Sequence, residues 1–471
     1  MNAVRYIFST TEAQERKQRM DNKAPFLCGS VIKKLFTLLA LLTIATPAWA
    51  VAEIQSWQMN NGLRVLLMEA HQVPMVVMRL TLPAGSSMDA PGKGGTATML
   101  AAMLGDHTKI HHHAAWADYL DAQAIRLGSG ASRDSMSIGL TVLKEALPQG
   151  VGALSEALLQ PGWSRKRFKK MRSDAISANK KSLEQPQVQA AIAIGKLLYG
   201  DHPYGHRSGG DAASLAAITM RDMKQLYRDQ VTPDAAVLAV SGDVTMAELH
   251  KLLAPLAAWH GTAKHHLSDI SATANPAPIK QHITMATQQA TVALVRIGLD
   301  RQAPDLFPTL LMNHILGGGG FSSKLMMQVR EKRGLVYGVY SYFEPLSRPG
   351  PFVISLQTRA DQTQQALKVV RQVMARMAAG KINHKAIHAA KANLTGSFTH
   401  RLDSNGKRVG LMSMIGYYHL PLDYLQNWRA RIEAITLAQV QVSAARYLKA
   451  SDWSEVIVGP KSVPHQRHIS K

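Results

Sequence analysis

Arg330 and Tyr337 are the two residues of this sequence best suited to catalysis, and they stand seven residues apart across the end of a short predicted helix. A guanidinium donates several hydrogen bonds in a fixed geometry, and a phenol donates one more. Delivered together to one surface, they could hold the oxyanion that develops when a carbonyl carbon is attacked. The same spacing also fits an exposed helical arginine beside a packed tyrosine, so spacing alone leaves both interpretations open.

The segment that carries this pair reads GGGGFSSKLMMQVREKRGLVYGVYSY over residues 317–342. A glycine run allows positive φ and close backbone approach, and Ser322 or Ser323 can cap a helix over LMMQVREKRG that ends at Gly334. The branched and aromatic run LVYGVYSYF then predicts a strand. The glycine run at the start of the segment lacks the G-K-[ST] ending of a phosphate-binding loop. Its four glycines are Gly317, Gly318, Gly319 and Gly320.

This order of glycine run, helix and aromatic strand resembles the second half of the pitrilysin/insulinase family of zinc peptidases. The resemblance extends over most of the chain after residue 50. It implies that Arg330 and Tyr337 assist peptide hydrolysis at a zinc site and that the glycine run lies near the cleft. It also implies an α+β fold of two homologous domains, each a mainly antiparallel sheet with helices packed on one face, enclosing a cavity.

The zinc site itself is missing from its expected place. Family members carry H-x-x-E-H on an early helix, with two His ligands and a Glu general base. On the frame that the resemblance gives, these positions fall on Thr98, Ala101 and Ala102, and the third ligand falls near Ser177 or Ala178. None of these side chains is a zinc ligand of ordinary strength. We therefore expect a vacated site, no metal on this chain and a helix that packs as core over TATMLAAML.

A histidine cluster just after that helix leaves one metal alternative open. It consists of His107, His111, His112 and His113, and Asp106 lies beside it. His107 and His111 have i, i+4 spacing, but two histidines need a third ligand to close a site. We favour a solvated His-rich surface loop. The alternative is an active metallopeptidase with atypical ligands.

The first fifty residues predict a secretory signal. Lys33 and Lys34 precede the short apolar run LFTLLALLTIATPAWA, which ends in an Ala-x-Ala site at Ala50. No comparable apolar run follows, so we expect a periplasmic protein with no stable membrane anchor after cleavage. The only cysteine, Cys28, lies within the predicted signal, so the remaining chain can form no disulfide.

The chain is strongly basic, with a formal net charge of +22. Its basic residues are dispersed over amphipathic helices, and no nucleic-acid-binding motif accompanies them. We therefore expect no nucleic-acid partner and interpret the charge as attraction to acidic surfaces or partners.

The sequence after residue 50 repeats once, which indicates two domains of similar design. Thr219 and Thr436 each precede a predicted helix as a plausible N-cap, and Gly242 and Gly459 each end a predicted buried strand; both offsets are 217, since 436 − 219 = 217 and 459 − 242 = 217. A polar, Pro-containing stretch separates the copies. We predict a signal at 1–50, a first half at 51–262, a linker at 263–282 and a second half at 283–471.

The first half alternates strand and helix patterns. Asn61 and Gly62 predict the turn of its opening hairpin. Predicted strands cover residues 63–68, 76–82 and 136–142, and predicted helices cover 96–104, 114–125, 147–159 and 164–181.

These observations favour an exported, zinc-less subunit of a heterodimeric peptidase, inactive alone, which supplies Arg330 and Tyr337 to a zinc-bearing partner of the same family that cleaves peptides. The alternative from another class is a non-enzymatic peptide-binding or scaffold protein in which both residues are idle. In the favoured interpretation, zinc is expected on the partner alone.

Overall fold

The computed structural model describes residues 53–266, 270–271 and 273–460, so the predicted signal lies outside the described residues. These described residues belong to one compact unit. Its framework is a six-stranded sheet built from the first half and a five-stranded sheet built from the second. Among the described residues, no helix combines the length and the apolar character that crossing a bilayer requires.

The first half supplies six strands and eight α-helices among the described residues. Its strands are β1 (Gln55–Gln58), β2 (Arg64–Glu69), β3 (Met75–Leu82), β4 (Arg126–Ala131), β5 (Met136–Leu143) and β6 (Val237–Gly242). Its helices are α1 (Thr96–Asp106), α2 (His113–Ala122), α3 (Leu147–Leu159), α4 (Arg165–Ser182), α5 (Pro186–Tyr199), α6 (Ala212–Ala217), α7 (Met220–Gln230) and α8 (Met246–Leu252). The strands lie in the order β1-β2-β6-β3-β5-β4.

Alternation along the strands decides which face of the first sheet is core. In β5, Met136, Ile138 and Leu140 are buried, while the residues between them are partly exposed. The buried set packs against apolar residues of α1, including Leu100 and Ala101, in one hydrophobic cluster. The expected packing of TATMLAAML as core is therefore what the structure contains.

The second half supplies five strands and six α-helices among the described residues. Its strands are β7 (Lys280–Thr284), β8 (Gln289–Ile297), β9 (Gly338–Phe343), β10 (Pro351–Arg359) and β11 (Ser454–Gly459). Its helices are α9 (Leu306–Asn313), α10 (Thr363–Ala378), α11 (His384–Gly396), α12 (Asn405–Tyr417), α13 (Tyr424–Ala434) and α14 (Leu437–Tyr447). The strand order is β7-β11-β8-β10-β9. Because β7 begins at Lys280, the last residues of the predicted linker are sheet.

The two sheets share one topology, which agrees with the repeat in the sequence. In the first, β6 pairs parallel with β2 and antiparallel with β3. In the second, β11 pairs parallel with β7 and antiparallel with β8. Thr219 and Thr436 both cap their helices, each in a capping box with the residue three positions on. The predicted α+β architecture of two similar domains is confirmed, and its sheets are mixed.

Each half lends a helix to the sheet of the other half, which the sequence did not predict. Helix α12 packs on β6 and β3 of the first sheet, on the face opposite α1. Helix α5 packs on β8 and β11 of the second sheet, where Ala190 and Ala193 join a cluster with Val295 and Val456. Each sheet therefore has helices of its own half on one face and a helix of the other half on the opposite face.

Candidate functional site

The glycine run begins inside one π-helical turn, His314–Gly318, and precedes a second, Met326–Glu331. The N–H of Gly319 donates to the carbonyl of His314 at 2.9 Å, and the N–H of Lys332 donates to the carbonyl of Met327 at 3.1 Å. We predicted an ordinary α-helix over LMMQVREKRG. In the structure, the N–H groups of the second turn bond the carbonyl five residues earlier instead of four, which makes the turn wider. Such turns are rare and occur frequently at functional sites.

Three of the four glycines stand where a side chain would collide with neighbouring atoms, and the fourth has a backbone conformation that favours glycine. A Cβ at Gly317 would lie 2.6 Å from Ser341 Oγ, and one at Gly318 would lie 2.8 Å from the Asn313 side chain. A Cβ at Gly319 would lie 2.7 Å from the carbonyl oxygen of His314. Of the four, Gly320 alone has a positive φ, at +58°. The run therefore lies tightly against α9 and β9.

His314, which the sequence analysis did not single out, lies beneath this run. Its Nε2 is buried and has no hydrogen-bond partner among the described residues. Burial, and secondarily the charge of Arg401, lowers the pKa of the imidazole, so the ring is neutral near pH 7. No sequence pattern marks His314 as part of the site, because its ring is placed there by the packing of Gly319 against it in the folded chain.

Arg330 and Tyr337 come together on the surface of the second half. The Arg330 guanidinium carbon lies 5.6 Å from the centre of the Tyr337 ring and 4.8 Å from the centre of the Phe321 ring. Arg330 also forms an ion pair with Glu331 at 3.0 Å. Tyr337 is 88% exposed and Phe321 is 68% exposed. We call Phe321, Arg330 and Tyr337 the arginine-aromatic surface.

This surface presents hydrogen-bond donors to solvent. The aromatic faces stabilise the guanidinium by cation–π attraction without using its N–H groups, and the Tyr337 hydroxyl has no partner within the described chain. Phe321, at the end of the glycine run, was not part of the predicted site. The arrangement can donate to an oxyanion or a carbonyl that another molecule brings.

The positions where zinc ligands were expected lie on α1 and α4, which contact each other. Thr98 donates its hydroxyl to the carbonyl of Ser208 at 2.6 Å. Ala101 is fully buried, while Ala102 and Ala178 are exposed. Alanine methyl groups have no lone pair to offer a metal, and the Thr98 hydroxyl is engaged with the backbone. These four side chains therefore offer a metal ion no free donor.

The histidines after α1 are held by carboxylates and helix ends. His107 and His113 bond Asp106, at 2.8 Å and 3.1 Å, and His111 bonds Glu156 at 2.8 Å. His112 caps the start of α2 through its ring nitrogen. In the part of the chain that the structure describes, no group of three or more His, Cys, Asp or Glu side chains is arranged to hold a metal.

The expectation of a solvated loop is wrong for His107, which is 5% exposed. The reason is its position between Asp106 and the start of α4, where its Nε2 accepts the N–H of Ser164 at 3.3 Å. Arg167 binds the same Asp106 carboxylate with two nitrogens. Burial opposes ionisation of Asp106, but the Arg167 and His107 bonds outweigh it and lower the pKa of that carboxyl.

A buried carboxylate that the sequence analysis missed joins the two halves. Asp134, which follows β4, is 1% exposed. It accepts hydrogen bonds from the hydroxyls of Tyr204 and Tyr418 and from the N–H of Ser347. The Tyr417 hydroxyl donates to its backbone carbonyl at 2.7 Å. Asp134 and Tyr204 belong to the first half, and the other three belong to the second.

Comparisons with known proteins agree with this geometry. The family model described as "Insulinase (Peptidase family M16)" matches residues 64–198, and that described as "Peptidase M16 inactive domain" matches residues 217–394. A crystal structure of the peptidase M16 inactive domain from Pseudomonas fluorescens is similar with a TM-score of 0.83 and 32% identity, covering 88% of this chain and 99% of that one. The chain therefore belongs to peptidase family M16, the insulinase family, and the resemblance drawn from the sequence is confirmed.

Two curated relatives carry different descriptions. One is an uncharacterized zinc protease, YmxG, of Bacillus subtilis, which is 24% identical over 86% of this chain and 98% of its own length. The other is a non-peptidase homolog, also YmxG, of Helicobacter pylori, which is 23% identical over 84% of this chain and 92% of its own length. The match to the inactive-domain model and the similarity to a non-peptidase homolog make this chain an inactive-type M16 homologue, consistent with a non-catalytic subunit.

Proposed function

We propose that this chain is the zinc-less subunit of a two-chain M16 peptidase and that Arg330 and Tyr337 act at the zinc site of its partner. The observation that carries the proposal is the arginine-aromatic surface, which presents its donors outward. The contacts that Arg330 makes with Glu331, Phe321 and Tyr337 all lie within one segment of its own chain. Its other donors are available to a molecule that docks from outside.

Chemistry at such a site needs a metal-bound water and a donor for the tetrahedral oxyanion. The partner would supply the metal and the general base, and this chain would supply the donor. Losing one oxyanion donor typically slows catalysis by about a hundredfold to a thousandfold. The exposed Phe321 ring would keep the guanidinium oriented while substrate binds.

The test uses the chain mixed with a zinc-bearing M16 peptidase from the same organism and a quenched fluorescent peptide. Arg330→Ala and Tyr337→Phe should each lower kcat/KM by about a hundredfold, towards the rate of the partner alone. Arg333→Ala is the matched control, because Arg333 is exposed on the same segment and bonds Gln328 instead of the aromatic rings. Wild-type rates from both mutants would refute the proposal.

The same mixture separates the alternatives. Hydrolysis that does not depend on this chain, although the two proteins form a complex, would favour a binding or scaffold role. Metal analysis of the purified chain addresses the third interpretation. Stoichiometric zinc that disappears in His111→Ala would mean that the histidine cluster is a metal site.

Export to the periplasm is part of the proposal. It is supported by the charged, apolar and Ala-x-Ala segments before residue 51. Cell fractionation, with sequencing of the N-terminus of the exported form, should find cleavage after Ala50. Cytoplasmic, uncleaved protein would overturn it.

A further inference from the structure

A cavity of about 510 Å³ lies between α12 and the adjoining face of the first sheet. Two arginines, Arg79 of β3 and Arg301 from the loop after β8, line it. The other polar side chains in its lining are serine, threonine and tyrosine, and no Asp, Glu, Lys or His contributes to it. We call this cavity the Arg79–Arg301 cleft.

Strand register explains why these side chains share one surface. Thr81 lies opposite Ser137 on the neighbouring strand, and Ser137 lies opposite Gly130 on the next. In the adjacent row, Arg79 lies opposite Gly139. Side chains alternate between the two faces of a sheet. Leu80 lies between Arg79 and Thr81 in sequence, and it belongs to the core that packs under α1. The rows therefore belong to the face that α12 partly covers.

Glycines keep this face open. A Cβ at Gly128 or at Gly130 would meet no atom within 4 Å, so there is free space above β4. On the opposite wall, a Cβ at Gly410 of α12 would lie 3.9 Å from a terminal nitrogen of Arg79. The guanidinium therefore lies beside a helix surface that has no side chain at that point.

Three buried polar atoms of the residues that line this cleft have no hydrogen-bond partner in the described structure. They are Thr81 Oγ1, Ser413 Oγ and Arg301 Nε. Thr81 and Ser413 are each 5% exposed. Buried polar groups are normally satisfied, and a group left unpaired costs free energy. Arg301 Nε can only donate a hydrogen bond and both hydroxyls can donate one, so a single acceptor group is the one kind of partner that suits all three atoms.

The positive charge of the cleft is not neutralised within the described chain. Among the described residues, no carboxylate forms an ion pair with Arg79 or Arg301. Arg301 stacks over the Tyr418 ring at 5.3 Å and donates to the carbonyl of Pro345 at 2.8 Å, which fixes its side chain. The neighbouring carboxylate, that of Asp134, already accepts three hydrogen bonds from other residues.

We propose that the Arg79–Arg301 cleft binds an oxyanion group, borne either by the carboxylate of a peptide or by phosphate. Guanidinium groups recognise both through charge-assisted hydrogen bonds, and the hydroxyls of Thr81 and Ser413 can donate to the remaining oxygens. The site lies on the opposite face of the first sheet from the vacated metal helix. It is independent of whether Arg330 and Tyr337 serve a partner.

The test is calorimetric titration of the full chain at low ionic strength with three probes. They are inorganic phosphate, N-acetyl-trialanine with a free carboxylate, and the same peptide with a C-terminal amide. Arg79→Gln should weaken binding by at least about tenfold, since a hydrogen bond to a charged group is lost. Arg79 is exposed and makes no hydrogen bond within the described chain, so this variant should fold normally.

Two further variants sharpen the result. Thr81→Val, which replaces a hydroxyl by a methyl group, should weaken binding several-fold. Arg429→Gln on α13 is the control, because it removes the same charge from an exposed arginine outside the cleft, and it should bind like wild type. Binding of phosphate alone would identify phosphate as the source, and binding of the acid peptide but not its amide would identify a peptide carboxylate. Absence of binding, or equal weakening by Arg79→Gln and Arg429→Gln, would overturn the proposal.

Discussion

Replacing Asp134 with alanine tests how firmly the two halves are joined. The substitution takes a charged acceptor from three donors, namely the hydroxyls of Tyr204 and Tyr418 and the N–H of Ser347. A hydrogen bond to a charged group contributes about 1.5–3 kcal/mol. The sum overstates the effect, because the mutation also removes the cost of burying a carboxylate, and water can reach the partly exposed Tyr418.

The expected loss in free energy of unfolding is therefore about 3–5 kcal/mol, below the sum of the three bonds, because three neutral donors lose their buried acceptor but no unpaired charge is left behind. That is a large share of the roughly 5–15 kcal/mol that stabilises a typical domain. Asp134→Asn, which keeps one carbonyl acceptor, should lose less, about 1–2 kcal/mol. The ordering of the two variants is part of the prediction.

Urea unfolding followed by far-ultraviolet circular dichroism measures these losses. Asp118→Ala is the matched control, because Asp118 is exposed on α2 and such changes usually stay within about 0.5 kcal/mol. If Asp134→Ala unfolds within about 1 kcal/mol of wild type, the buried network does not join the halves, and the reasoning fails.

Two more predictions concern the same framework. Burial, followed by the Asp134 charge, raises the pKa of Tyr204 and Tyr418 above 10.0; the stability that depends on their neutral phenols is complete below the unfolded pKa and declines above about pH 10. The urea concentration at the unfolding midpoint should therefore decrease as the pH rises above about 10, and it should decrease less steeply in Tyr204→Phe. Equal dependence on pH in the two proteins would contradict this. Gly317→Ala should destabilise by about 1–3 kcal/mol because its Cβ would lie 2.6 Å from Ser341 Oγ, whereas Gly396→Ala, with no atom within 4 Å, should not; thermal unfolding of the two variants decides it.

The helices and strands of the first half were predicted closely where apolar residues recur at regular helical or strand spacing along the whole element. The helix over Leu147–Leu159 has its predicted bounds, and α4 begins one residue after its predicted start, with Ser164 as its N-cap. Strand β4 was missed, since its sequence RLGSGA contains two glycines and little β-propensity. It is held by pairing with β5 and by the bond from Ser129 to the carbonyl of Ala101, contacts that exist only in the folded chain.

The candidate site could be predicted only in part. The proximity of Arg330 and Tyr337 followed from local spacing, because a helix end and a strand start fix their separation. The contribution of Phe321 depends on how the glycine run folds back, and the π-helical turns have no sequence period that distinguishes them from an ordinary helix. The catalytic role of the pair stays a prediction until the mixed assay is done.

Long-range groupings were beyond the sequence altogether. Arg79 and Arg301 are separated by 301 − 79 = 222 residues, yet they line one cleft. Asp134 stands in the polar stretch SRDS, which resembles an ordinary solvent-exposed turn. Strand register and the packing of α12 determine both arrangements, and neither leaves a local pattern.

The exchange of helices between the halves constrains the order in which this chain can fold. The second face of the first sheet stays exposed until α12, more than three hundred residues after β2, has been made and has docked. Contacts so distant in sequence slow folding and prolong the exposure of apolar surface. A chain of this design therefore depends on protection from aggregation until α12 has been made and has docked, and cutting it between the halves should leave two fragments that need each other to become soluble.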